Sequence, residues 1–263
     1  MHTIIPGMLR RDGKVLMPFG VMGGGVMRDF DPANGTATWH SKQLSLQIYR
    51  AEETAFRLEN ALAFIDEPGE WAVDSAAGRV YYWPLPGQDI AAARVTAPTL
   101  NELIRVQGDD PARNYVKNIA FEGLTLVCTD RLPEDEWPGD WTCRQWENPD
   151  AMIFMEGVED CAVRNCRLYH SGSYGVTLYR HALRNEVSGC EIGWTGSGGV
   201  QLFGFGAGFR DENRDNIVRR NYMHHQGWAI YWHSPNVQIY GSGSNWIEDN
   251  FLAYSAYNNI SIV

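Results

Sequence analysis

The chain has no apolar stretch near the roughly 20 residues that a bilayer-crossing helix needs, because acidic or basic residues interrupt every hydrophobic run. No membrane partner is therefore expected. Positive charge is scarce: 22 Lys and Arg stand against 32 Asp and Glu, a formal charge of -10. That balance repels phosphate backbones, and no basic stripe reverses it locally, so nucleic acid is not an expected partner. The five cysteines, at 128, 143, 161, 166 and 190, never take the C-x-x-C spacing of a zinc site, and at least one stays unpaired. The opening MHTIIPGMLRRDGK lacks the apolar stretch and cleavage site of a secretory signal. A G-x-x-x-x-G-K-[ST] loop is missing too, and the glycines of FGFGAGF and YGSGSN do not open an amphipathic helix, so no nucleotide or other cofactor is expected.

What is abundant points to β structure. With 27 Gly, 10 Trp, 12 Tyr and 10 Phe, the composition suits tight turns and pleated surfaces better than long helices. The C-terminal half is repetitive: VRNCRLYHSGSYGVTLY from Val163, VSGCEIGWTGSGGVQLF from Val187 and IEDNFLAYSAYNNISIV from Ile247 align on their glycines, and VRRNYMHHQGWAI from Val218 is an altered copy. In IAFEGLTL, residue Phe121 matches Val163. A second alternating segment recurs as Met152-Ile-Phe-Met, Val176-Thr-Leu-Tyr, Val200-Gln-Leu-Phe, Val237-Gln-Ile-Tyr and Ile260-Ser-Ile-Val. Short strands, Gly/Asn/Ser turns and a period in the low twenties predict an all-β solenoid, a right-handed parallel β-helix of about five coils.

Alternation assigns faces. Val176, Leu178, Val200, Leu202, Val237, Ile239, Ile260 and Ile262 are expected to point inward. Their neighbours form an outer polar row of Thr177, Gln201, Gln238 and Ser261 beside an aromatic row of Tyr179, Phe203 and Tyr240. Asn165, Cys166, Cys190, Asn221 and Asn250 recur at a corner, where stacked amides can bond successive layers and small thiols can pack. Upstream, residues 67 to 87 read as two strands joined by the turn Asp74 to Gly78. The expected organisation is a distinct segment at 1–30, an accessory β element at 31–100 and the β-helix at 101–263, interrupted by an excursion loop at 128–150. The chain stops at Val263 inside a core-forming strand, so a longer parent is expected.

Several stretches carry a resemblance. LENALAFIDEPGEWAVDSAAGRVYYWPLPGQD, VKNIAFEGLTL, EGVEDCAVRNCRLYHSGSYGV and IYWHSPNVQIYGSGSNWIEDN resemble bacterial right-handed β-helix carbohydrate-active proteins, closest to the family 141 glycoside hydrolases, over about residues 50 to 263. The resemblance implies a polysaccharide-processing hydrolase from an exported parent, with a carbohydrate as partner. Separately, HTIIPGMLRRDGKVLMPFGVMGGGVM, residues 2 to 27, is similar to a γ-glutamyltransferase small-subunit segment. The Thr nucleophile and Ser pair of that family lie upstream of this segment, so no acyl transfer is implied.

Glycoside hydrolysis needs two carboxyl groups flanking an oxocarbenium-like centre. The outer rows as aligned carry none, so loops must supply them. The insertion GFGAGFRDENRDN brings Asp211, Glu212 and Asp215 with Arg210 and Arg214, and GWAIYWHSP brings Trp228, Tyr231, Trp232 and His233. Both belong to one repeat and are expected to flank a groove. Asp215 and then Asp211 are the expected catalytic carboxylates, with Gln201, Gln238, Tyr179, Phe203, Tyr240, Trp232, His233 and Arg210 as substrate contacts. The aromatic row has an alternative role in stacking on itself. A D-x-N-x-D spacing lacks the glycine and terminal Glu of a calcium loop, and His224 and His225 on a strand should face opposite ways, so no metal is expected. The competing reading is a non-catalytic carbohydrate-binding or structural β-helix module, and a monomer is expected in either case.

Overall fold

The computed structural model describes residues 62–74, 76–132, 150–206, 209–230 and 234–263, together with Asn34 and the backbone of four earlier strands. The chain divides into two compact units, His2–Val95 and Thr96–Val263. The first contains antiparallel pairs: Gly7–Arg11 with Lys14–Phe19, Val26–Asp31 with Thr36–His40, and Trp71–Asp74 with Arg79–Tyr82. The last pair is the hairpin expected from residues 67 to 87. Its turn closes with Asp74 Oδ1 accepting from the N–H of Ala77 (2.9 Å) and with Gly78 at φ 62°, a left-handed value that glycine adopts without a Cβ clash.

The second unit is a solenoid-like stack of parallel sheets, consistent with a parallel β-helix. One sheet runs Ile104–Gln107, Ala151–Glu159, Tyr174–Leu183, Val200–Phe203, Val237–Tyr240 and Ile260–Ile262 in spatial order. A second takes Ala120–Glu122, Ala162–Arg164, Glu186–Ser188, Ile217–Arg219 and Trp246–Glu248. The third takes Thr125–Val127, Arg167–Tyr169, Glu191–Thr195, Tyr222–Gln226 and Phe251–Ser255. From Ala151 onward the chain visits the three sheets in turn, and every pairing between their strands is parallel.

The repeats fall into register. Val176 pairs with Val200, Val200 with Val237 and Val237 with Ile260, while Phe121, Val163, Val187, Val218 and Ile247 stack on the second sheet. The core cluster joins inward residues of all three sheets, among them Val163, Leu168, Val176, Leu178, Ile192, Leu202 and Met223, all fully buried. Ile260 and Ile262, expected inward, remain exposed on the outermost strand. One alignment needs correction: Ile153, rather than Met152, pairs with Val176. Because side chains alternate with period two, that single step moves the residues from Ala151 to Glu156 to the other face, and a register shift after Glu156 restores the expected offset at Val158 and Glu159.

Two side-chain ladders hold the corners. At one, the Cys166 N–H meets Cys190 Sγ (3.5 Å), the Cys190 N–H donates to Asn221 Oδ1 (2.9 Å) and the Asn221 N–H to Asn250 Oδ1 (3.0 Å). Burial pushes the Cys190 thiol up to about 12, which keeps it neutral as a small apolar filler. At the other corner the Cys161 N–H donates to Asn185 Oδ1, the Asn185 N–H to Asn216 Oδ1 and the Asn216 N–H to Asn245 Oδ1, each at 3.0 Å. Asn165 stands outside the first ladder, left-handed at φ 51° with its amide donating to Glu122. A third column, His170, Trp194, His225 and Tyr254, is left-handed throughout and stacks ring on ring at 5.9, 4.9 and 4.7 Å.

Candidate functional site

The corrected register changes what the outer face of the first sheet carries. Glu156 pairs laterally with Gln107 on one side and Tyr179 on the other, so the row Tyr240, Phe203, Tyr179 runs directly into a carboxylate. Phe154 joins the parallel row at Thr177, with Arg105 beyond it. Phe154, Tyr179 and Phe203 are buried and Tyr240 is half-buried, with ring centroids 5.6, 5.6 and 4.6 Å apart along the stack. Guanidiniums contribute to the cover: Arg105 lies 4.3 Å over Phe154 and Arg180 5.0 Å over Tyr179. The rings stack on one another, and the faces of Phe154 and Tyr179 are met by arginine.

Gln201 and Gln238 are buried as well. Thr177 Oγ1 donates to Gln201 Oε1 (3.1 Å), Gln201 Nε2 donates to Gln238 Oε1 (3.4 Å), and the Tyr174 hydroxyl also donates to Gln238 Oε1. This is a buried polar ladder on the outer face of the sheet.

Just past Glu156 the sheet is irregular. Glu156 pairs with Tyr179 and Val158 with Ala182, so Gly157 alone faces the two residues Arg180 and His181. This is a β-bulge, a device that re-aims side chains. Gly157 is left-handed at φ 64°, and a Cβ on Gly108 would come within 2.4 Å of Gly157 O, so glycine at both positions lets the neighbouring strand end approach closely. The flanking strands expand at the same level, with residues 108–115 inserted between Gln107 and Val116 and residues 204–212 between Phe203 and Asn213.

The two insertions meet above the bulge. Arg210 donates to Asp110 through Nη1 (2.7 Å) and Nη2 (2.8 Å), also contacts Glu212, and lies 4.3 Å over the Phe205 ring. Beneath, His181 is 4% exposed, with Nδ1 2.9 Å from Glu212 and Nε2 3.1 Å from Glu159. Each ring nitrogen thus meets one carboxylate. Tyr115 stacks on this ring at 3.6 Å and donates to Asp110 (3.3 Å), while Lys117 and Arg184 hold Glu159 from the far side.

These environments drive the acids apart. Burial raises the Glu156 pKa above the ordinary carboxylate range, outweighing Arg180 and Arg105. The Arg210 hydrogen bonds hold Asp110 and Glu212 below it. Burial would lift Glu159, but hydrogen bonds from Lys117, His181 and Arg184 prevail and hold it low. One acid raised beside others lowered is the direction of division that acid–base chemistry uses.

Asp211 and Asp215 lie just outside this network. Both pair with Arg214, at 2.9 and 3.0 Å, and the Asp211 side chain is 66% exposed. Glu212, the middle acid of the same insertion, turns inward to His181 instead. Arg210 is part of the network as a clasp between loops. The insertion containing Trp228 precedes Val237–Tyr240, whereas the acidic one follows Val200–Phe203, so the two attach at opposite ends of paired strands. Trp232 and His233 lie outside the described residues, as do residues 133–149 of the excursion loop.

Among the described residues, Asp110, His181 and Glu212 bring three donor atoms within 4.8 Å of one another. The Arg210 guanidinium already balances both carboxylates, so the donor set has its counter-charge in the protein. His224 and His225 do not face apart as strand alternation predicts: His225 is left-handed at φ 55°, and their Nδ1 atoms are 2.8 Å apart. Sequence reading missed Glu156 through the one-residue slip. It missed Asp110, Tyr115, Glu159 and His181 because nothing local links positions so far apart in the chain.

Residues 37–85 match the GH141 insertion domain, a stretch that contains most of the EPGEW…GRVYYWPLPG block. No curated protein matches the chain. A solved structure described as a glycoside hydrolase matches with a TM-score of 0.51 at 14% identity, covering 98% of this chain and 67% of that one, which is a likeness of fold. Together, the matched stretch and the shared architecture make this chain similar to the family 141 glycoside hydrolases.

Proposed function

We propose that the chain is a polysaccharide-processing glycoside hydrolase, or an inactive piece of one, built on a right-handed parallel β-helix of about five coils with the N-terminal β element as an accessory. The observation that carries this reading is the opposed pair at the bulge: Glu156 raised by burial, and Asp110 held low by Arg210. Glu156 would serve as general acid, giving its proton to the glycosidic oxygen. Asp110, with Glu212 behind it, would face the developing positive charge at the sugar carbon as an ionised carboxylate. His181 and Arg210 would hold that geometry.

Asp215 and Asp211 remain candidates on the rim, each steadied by Arg214. The experiment is a screen of aryl glycosides and plant or microbial polysaccharides with the purified chain, followed by Glu156→Gln, Asp110→Asn, Asp215→Asn and Asp211→Asn on whatever is turned over. Losses of at least about 100-fold, the lower range for general acid–base help, are expected in the first two. If those two turn over normally while Asp215→Asn is inactive, the chemistry belongs to the rim. No turnover of any glycan would favour the binding-module reading.

A further inference from the structure

Two arginines, Arg105 and Arg180, act on Glu156, a third, Arg210, holds Asp110, and the three are not equivalent. The Arg105 guanidinium is engaged by Glu102 through Nε and Nη2, both at 2.7 Å, and Arg210 is engaged by Asp110 and Glu212. Arg180 differs. Its nearest carboxylate oxygen is Glu156 Oε1 at 3.8 Å, beyond hydrogen-bonding distance, and among the described residues its side chain makes no hydrogen bond. Yet it is held in place. Its backbone is left-handed at φ 52° within the bulge, and its guanidinium lies 5.0 Å over Tyr179 and 6.0 Å from the Phe205 ring. The side chain is 52% exposed and carries five N–H donors beside the carboxyl group read as the acid.

We propose that Arg180 anchors a carboxylate carried by the substrate, so that the site takes uronate-bearing glycans. A planar guanidinium matches a carboxylate through two parallel bonds, which a neutral sugar hydroxyl cannot reproduce. A sugar carboxylate seated there would also stand near Glu156, where added negative charge favours the protonated acid. This rests on the carbohydrate-processing reading of the site, and it makes a separate demand on binding.

The test is a binding titration on the whole chain in low salt. The probes are trimers of galacturonate, glucuronate and mannuronate, each compared with its methyl ester. At least one acid should bind about tenfold or more tighter than its ester, the minimum for a charge-assisted hydrogen bond. Arg180→Gln should bring that ratio close to one, and Arg180→Lys should recover only part of it. Thermal melts of the variants check that the fold is intact. Equal binding of acid and ester, no binding of any acid, or an unchanged ratio in Arg180→Gln would each overturn the proposal. The hydrolase reading is judged separately, by turnover in Glu156→Gln, because the binding ratio does not depend on bond cleavage.

Discussion

Arg210 and Asp110, separated by 100 positions in the chain, are joined by two hydrogen bonds of 2.7 and 2.8 Å. Their loops leave strands that stand three spacings apart on one sheet, a span of roughly 14 Å, and the pair closes the loops over the bulge at Gly157. Arg210→Gln should therefore act on function more than on fold. Asp110 and Glu212, freed of the guanidinium, titrate higher, so the acidic limb of any pH–activity profile moves to higher pH. In a double-mutant cycle with Asp110→Asn the coupling to stability should be about 1 kcal/mol or less, as for a partly exposed pair. An unmoved acidic limb would remove Asp110 and Glu212 from the chemistry.

Glu156 should separate activity from stability in the opposite way. Its folded-state pKa is raised, so the stability that its neutral form supplies is complete below the ordinary carboxylate value and is lost as pH rises through the raised one. At neutral pH, Glu156→Gln is expected to melt at or above the temperature of the parent while losing turnover. Melts at pH 4 and pH 7 check this, and a variant destabilised more at pH 7 than at pH 4 would contradict it.

Asp150 gives a sharper pH window. Burial pushes it up to about 6 from an ordinary 3.8, against the N–H of Leu132, which donates to its carboxylate at the base of the excursion loop. Stability from this group is present below about pH 4 and lost by about pH 6, up to about 3 kcal/mol. Urea midpoints for Asp150→Asn should not share that decline. Parallel curves for parent and variant between pH 4 and pH 6 would refute the assignment.

Asn216 is an interior member of its four-residue ladder, accepting from the N–H of Asn185 and donating to Ala182 O. Asn216→Ala leaves buried polar groups on two layers without partners, so a loss of about 1–3 kcal/mol is expected from chemical denaturation. Replacing exposed Asn165, which takes no part in either ladder, should cost less.

The sheets were legible because Val200, Val237 and Ile260 repeat with the same polar and aromatic neighbours, and period-two alternation then fixes both register and face. Met152-Ile-Phe-Met misled because Ala151–Glu159 is apolar on both faces, so composition alone could not say which residue sits opposite Val176. The acidic insertion was recognisable as a charged loop, but its inward acid was not. Which of Asp211, Glu212 and Asp215 turns toward the sheet depends on His181 and Asp110, whose positions follow from the bulge and from the loop at 108–115. The left-handed backbone beneath the column of Trp194 and His225 was hidden too, since that conformation at a non-glycine residue leaves no clear mark in the sequence.

Stacked repeats usually tolerate lengthening, because a duplicated unit finds the same neighbours above and below. The clasp between Asp110 and Arg210 removes that freedom over one stretch. A further strand added between Ile104–Gln107 and Val200–Phe203 would carry the two loops apart by about 4.8 Å, more than a hydrogen bond can bridge. Growth by duplication is thus open to the layers beyond Val237 and closed to those under the clasp, so the span between these two side chains works as a ruler for how many repeats its descendants can hold there.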